Sequence, residues 1–200
     1  MLKITRKLLG LAGLVLLLSV AAMGASQAEV MIQATPDNGL QPRITVDSDG
    51  VVHLLYFKKR LRAPSAREGN LYYRQYLPEQ RRFGTPIKVS SQAYDLRTFS
   101  IARAGMAVDG EGRVHVIWYL PKKSQFFYSR SNPQRNRFEP QQPMVSQFGE
   151  GIDAGADIAA FGSRVAVVWA AGDLSREFER TVFTRMSTDN GASFGDELQI

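Results

Sequence analysis

The 200-residue sequence predicts an all-β protein built from three copies of one four-stranded unit. Two observations predict it. The segments "ITVDSDGVVHLLY" (44–56) and "MAVDGEGRVHVIW" (106–118) match almost column for column, and "IAAFGSRVAVVW" (158–169) is a third copy with one residue deleted in the turn. An aromatic residue then recurs at Phe83, Phe138 and Phe194, at spacings of 55 and 56 residues.

Within each copy the order of elements is the same. Two short apolar-rich strands flank a tight turn, twice containing Asp-Gly or Asp-x-Gly, which is a hairpin signature. A third strand follows: "NLYYRQY", "QFFYSRS" or "RTVFTRMS". After the recurring aromatic comes a fourth short strand, "TPIKVS", "QQPMVS" or "DELQI". A period near 50 residues with four strands per repeat predicts one propeller blade per repeat. The expected blades cover 42–90, 104–146 and 156–200, together an incomplete propeller over 41–200. Three repeats fill the chain, and Ile200 falls within the third outer strand. A closed propeller needs roughly four to eight blades. The expectation is the N-terminal half of a longer product, with self-association of two copies as the alternative.

Before the repeats lie two other segments. Residues 1–28 read as a signal segment: Lys3, Arg6 and Lys7 precede an apolar run over 8–22, and "ASQA" ending at Ala28 supplies the small residues of a cleavage site. The run is shorter than the roughly 20 residues of a spanning helix. Export to the periplasm or beyond is expected, with no membrane attachment after cleavage. Residues 29–40 form a lead-in segment.

Composition narrows the chemistry. With no cysteine, disulfides and thiolate catalysis are excluded. The formal charge of +6 falls to +3 once Lys3, Arg6 and Lys7 leave, too mild a balance to imply nucleic acid. His53 and His115 occupy one repeat position inside a strand, which favours a structural role. "DSDG" and "DGEG" lack the further oxygen ligands of a calcium loop. No phosphate-binding glycine loop, zinc spacing or nucleophile elbow occurs. Neither a metal nor a cofactor is expected. Tyr56, Trp118 and Trp169 share one column and read as core.

The stretch "STDNGASF" (187–194) fits S/T-x-D-x-G-x-x-F/W, with Ser187, Asp189, Gly191 and Phe194 in the defining places. "SNPQRNRF" (131–138) keeps the Ser and Phe of that pattern, and "YLPEQRRF" (76–83) keeps the Phe alone. One full box and two decayed ones, in register with a repeat, resemble the Asp-box (BNR) repeat of sialidase-like β-propellers, chiefly poorly characterised secreted ones. The resemblance covers about 40–200. It implies that the box is a blade-stabilising turn, with chemistry located elsewhere.

Topology locates that elsewhere. Strands alternate in direction, so hairpin turns and boxes share one face of the propeller. Second-to-third loops and blade-to-blade connections share the other, where the funnel opens. That upper face carries the basic stretch 58–69, which includes Lys58 and Arg60, and acidic stretches farther along with Glu150, Asp153, Asp173, Glu177 and Glu179. The sialidase resemblance implies arginines that clamp a substrate carboxylate, because a planar guanidinium binds it bidentately. In that family the first arginine opens the innermost strand of the first blade in an Arg-Ile-Pro motif; "PRITVD" places Arg43 there with Thr45 in place of the Pro. Arg103 stands near the matching start of the second blade. The substrate-binding candidates are therefore Arg43, Lys58, Arg60, Arg103, Asp153 and Asp157. The first upper loop, "KKRLRAPSAREGN", holds no Asp for the family's acid/base, and its one carboxylate, Glu68, reads as a salt-bridge partner. Two functions stay open: an exo-sialidase-type glycoside hydrolase acting on an acidic glycan, or a non-catalytic propeller binding a glycan or a protein.

Overall fold

Alternating β-branched, aliphatic and aromatic residues, interrupted by turn formers, favour strands over helices along the whole repeat region. The computed structural model describes residues 30–62, 67–96, 103–120, 123–147, 155–172, 175–176 and 180–200; the signal segment lies outside them. The chain divides into Met1–Gln33 and Ala34–Ile200, and every strand belongs to the second unit. Among the described residues no helix is long and apolar enough to cross a membrane.

Three antiparallel sheets follow one another along the chain. The first holds β1 (Leu40–Val46), β2 (Val52–Lys59), β3 (Glu68–Leu77), β4 (Arg82–Phe83), β5 (Ile87–Lys88) and β6 (Tyr94–Asp95). The second holds β7 (Gly105–Val108), β8 (Val114–Leu120), β9 (Gln125–Arg130) and β10 (Gln142–Pro143). The third holds β11 (Ala156–Phe161), β12 (Arg164–Ala171), β13 (Thr181–Ser187) and β14 (Leu198–Gln199). The first sheet has six strands rather than the expected four. Its ten-residue β3 is long enough for β4, β5 and β6 to pair with it in succession.

Strands β1, β7 and β11 lie side by side, with Thr45 Oγ1 donating to the Met106 carbonyl at 3.5 Å. The chain is thus a partial β-propeller of antiparallel blades whose innermost strands face a common axis. Each blade turns one face to its neighbour. Leu55, Phe57, Leu71 and Tyr73 of the first meet Met106, Val116 and Trp118 of the second. Ile117, Phe126 and Tyr128 on the second blade's other face meet Ile158, Val167 and Trp169 of the third. Burying such side chains stabilises by roughly 1.5–3 kcal/mol each.

The shared aromatic column repeats in space as well. Tyr56 stacks on Tyr72 at 6.1 Å, Trp118 on Phe127 at 6.3 Å and Trp169 on Phe183 at 6.2 Å. Trp118 and Trp169 are covered by the preceding blade. Tyr56 is instead covered by a 3-10 turn at Pro36–Asn38 in the lead-in segment, whose Asp37 accepts a 2.6 Å hydrogen bond from the Tyr56 hydroxyl.

Candidate functional site

The upper ends of the three innermost strands form the mouth of the axis. In β1 the pairing slips between Leu40 and Arg43, so three steps on β1 span two on β2, a β-bulge with Gln41 at φ 50. Bulges bend a strand and re-aim the next side chain. Here that side chain is Arg43. Its Nη2 lies 3.8 Å from Asp157 Oδ1 on β11. The blade between them contributes Gly105, where an added Cβ would stand 3.4 Å from the same Asp157 oxygen. The missing side chain lets a guanidinium of the first blade approach a carboxylate of the third. Both groups stay open to water, with side chains 44% and 65% exposed, so their attraction contributes little to stability. What the pair can do chemically is exchange: an incoming carboxylate can take the place of Asp157 on Arg43.

The other sequence candidates go separate ways. Lys58 Nζ lies 3.6 Å from Asp37 Oδ1 and 5.7 Å from the Tyr72 ring centroid. Arg60 Nη1 donates to Glu68 Oε1 at 2.6 Å, the salt bridge expected for Glu68. Arg103 is exposed and has no charged partner among the described residues. Asp153 lies outside the described residues, as do Glu150, Asp173, Glu177 and Glu179.

Two upper-face features escaped the sequence. Arg74 donates from Nε to the Tyr56 hydroxyl at 2.9 Å and from Nη2 to Asp37 Oδ2 at 2.8 Å. Burial, then the Asp37 carboxylate, pushes the Tyr56 hydroxyl up to about 12. The tyrosine is therefore held protonated and enclosed, a fastening for the lead-in turn rather than a nucleophile. Between the first two blades a cavity of about 190 Å³ is lined by Glu68, Tyr94, Asp95, Leu120 and Lys123. Glu68 and Asp95 are cross-strand neighbours there, brought together by the β3–β6 pairing that the expected four-stranded blade left out.

The opposite face carries the box. Ser187 Oγ donates to Asp189 Oδ1 at 2.7 Å and accepts from the Gly191 amide at 2.9 Å. Asp189 also accepts from the Ser193 amide at 3.0 Å and from the Ser193 hydroxyl at 2.6 Å. These bonds, the Ser193 hydroxyl first, hold the Asp189 carboxyl well below its ordinary range. Gly191 takes φ 73, and an added Cβ would collide with the Tyr128 hydroxyl. Phe194 packs outside its own sheet. It is half-buried and leans edge-on against Tyr128 of the preceding blade, centroids 4.9 Å apart. Phe138 does the same to Tyr73 at 5.8 Å.

Those tyrosines end buried relays. Tyr73 hydroxyl meets His53 Nδ1 at 2.7 Å, and His53 Nε2 meets Asp47 Oδ2 at 2.9 Å. Tyr128, His115 and Asp109 repeat the arrangement at 2.6 and 3.0 Å. Burial lowers the His53 pKa despite Asp47. Burial also opposes the Asp109 charge, but hydrogen bonds from His115, Asn190 and the Arg113 amide prevail and bring its pKa to about 2. The signal was in the repeat: Asp and His recur six residues apart in the first two copies. The third copy has Phe161 and Ala166 in those columns, with Phe161 86% exposed.

The fold and these sites define a partial β-propeller with a charged axial mouth. No family model matches the chain, and no curated protein matches it. Solved structures share part of the fold. A hydrazine synthase from Kuenenia stuttgartiensis is 11% identical over 78% of this chain and 41% of that one, with a TM-score of 0.49. A GH43 protein from Bacillus licheniformis is 12% identical over 77% and 28%, with a TM-score of 0.43. An endo-1,4-β-xylanase from Bacteroides thetaiotaomicron is 9% identical over 86% and 64%, with a TM-score of 0.45. The chain thus spans less than two thirds of the length of each. Likeness at this level says nothing of substrate or chemistry.

Proposed function

We propose that this chain is the recognition part of an exported, sialidase-like propeller that handles glycans, with Arg43 meeting the carboxylate of an acidic sugar. The observation that carries the reading is the bulge-aimed Arg43 at the axial mouth, held near Asp157 over a glycine gap and open to solvent. Asp157 keeps the guanidinium oriented until a sugar carboxylate displaces it. Among the described residues the set needed for sialidase-type cleavage is not assembled: Tyr56 is buried and fastened, and Glu68 is engaged by Arg60. Recognition, rather than bond cleavage, is therefore the role assigned to these three blades.

The test is calorimetry with N-acetylneuraminic acid, glucuronic acid and galactose. A bidentate guanidinium–carboxylate bond contributes about 1.5–3 kcal/mol, so Arg43→Ala weakens acid binding roughly ten- to a hundredfold. Arg43→Lys restores part of it, since an ammonium lacks the fork. Asp157→Asn strengthens it by removing the competing carboxylate. Equal binding by wild type and Arg43→Ala, or preference for galactose, overturns the reading. Export is checked separately by sequencing the N-terminus of secreted protein, expected to begin at Glu29.

A further inference from the structure

The turn at 131–138 keeps the shape of the box without its residues. Aligning Ser131 with Ser187 places Pro133 where Asp189 stands, Arg135 where Gly191 stands and Arg137 where Ser193 stands. Asn132 has taken over the holding role. Its Oδ1 accepts from the amides of Asn136 and Arg137 at 3.0 and 3.2 Å, and its Nδ2 donates to Gln134 and Asn136. The arginines are therefore not needed to close the turn. Arg135 even retains the left-handed conformation of the glycine it replaces, φ 53 against 73, which an L side chain adopts at a cost.

Both arginines face a cleft of about 630 Å³ between this turn and the outer edge of the first blade, within the range of ligand sites. Lys88 lines the same cleft. Lys88, Arg135 and Arg137 have no carboxylate partner among the described residues, and no Asp or Glu lines the cleft. Its floor is aliphatic: Leu77, Pro86 and Ile87, beside a Phe138 ring already engaged by Tyr73.

We propose that this cleft binds an acidic peptide segment, with carboxylates on the three cations and an aliphatic side chain on the floor. Three unpaired cations complement carboxylates. The aliphatic floor receives a Leu-like side chain and offers no free aromatic platform for a sugar ring. Pro86 cannot donate a ladder hydrogen bond, so recognition runs through side chains rather than strand addition. The site lies on the box side of the propeller, away from Arg43, and stands independently of any glycan at the axial mouth.

The probe is a fluorescein-labelled Asp-Leu-Asp-Leu-Asp peptide read by anisotropy, with Asn-Leu-Asn-Leu-Asn and trigalacturonic acid as comparisons. The acidic peptide binds at least tenfold more tightly than its amide counterpart, and added salt weakens it. The double variant Arg135→Gly/Arg137→Ser rewrites the turn toward the intact box. It loses at least tenfold in peptide affinity while melting no lower than wild type, which separates binding from folding. Equal binding by the two proteins, no binding of the acidic peptide at millimolar concentration, or displacement by trigalacturonic acid at lower concentration than by unlabelled peptide each overturns the proposal.

Discussion

Asn190 of the third blade donates a 2.9 Å hydrogen bond to Asp109 Oδ2 of the second. The same Asp109 oxygen meets His115, so the box turn of one blade is fastened to the buried relay of its neighbour. Arg130 returns the contact by donating to the Asn190 carbonyl at 2.8 Å. The box thereby acts between blades as well as within one. Asn190→Ala removes a hydrogen bond to an ionised carboxylate and should cost about 1.5–3 kcal/mol in urea unfolding. Asn190→Gly, which suits the residue's φ of 57, should recover only the backbone part of that loss. Wild-type stability in Asn190→Gly would show that the inter-blade bond is idle.

Gly191→Ala places a methyl group against the Tyr128 hydroxyl at a backbone conformation unsuited to an L side chain. A loss of about 1–3 kcal/mol is expected. Tyr128→Phe in the same chain makes room and should return part of it. A chemical denaturation cycle of the two single variants and the double reads this coupling directly.

Asp189→Ala breaks the bonds that close the box to Ser187 and Ser193. The thermal midpoint falls, while the sugar binding proposed for Arg43 stays unchanged because the two lie on opposite faces. Loss of sugar binding in a folded Asp189→Ala protein would reverse the assignment of faces.

Acid should destabilise the protein in two stages. His53 has a pKa lowered by burial, so the unfolded chain binds its proton first, and stability begins to fall as pH drops through the ordinary histidine range near 6.5. Asp109, lowered from 3.8 to about 2, contributes fully above pH 5 and loses about 2 kcal/mol as pH falls through that interval. Thermal midpoints between pH 8 and 2 should show both, and His53→Gln should flatten the first stage.

The repeat was legible because its chemistry is local. The Asp-Gly hairpins at Asp49-Gly50 and Asp109-Gly110, and the column of Tyr56, Trp118 and Trp169, mark strands and core directly. The box turn was legible for the same reason, its bonds joining residues two to four apart. What stayed hidden depends on partners far along the chain. Arg43 meets Asp157 across two blades, and Phe194 seals Tyr128 rather than its own sheet. The six-stranded first sheet was hidden because strands of two residues carry no periodicity. Asp37 looked like part of a plain lead-in, since its value lies in a tyrosine and an arginine 19 and 37 residues away.

The edge-on contacts of Phe138 and Phe194 impose an order in time. Each reaches back to a tyrosine 65 or 66 residues earlier, so a blade leaving the ribosome stays unsealed until the last turn of the next has emerged. At synthesis rates of 5–20 residues per second that interval is roughly 3–13 seconds. Throughout it, Tyr73 or Tyr128 and its histidine stand open to water and to any holding factor. Vectorial emergence thus turns a static seam into a delay of one blade, with the newest edge always the exposed one.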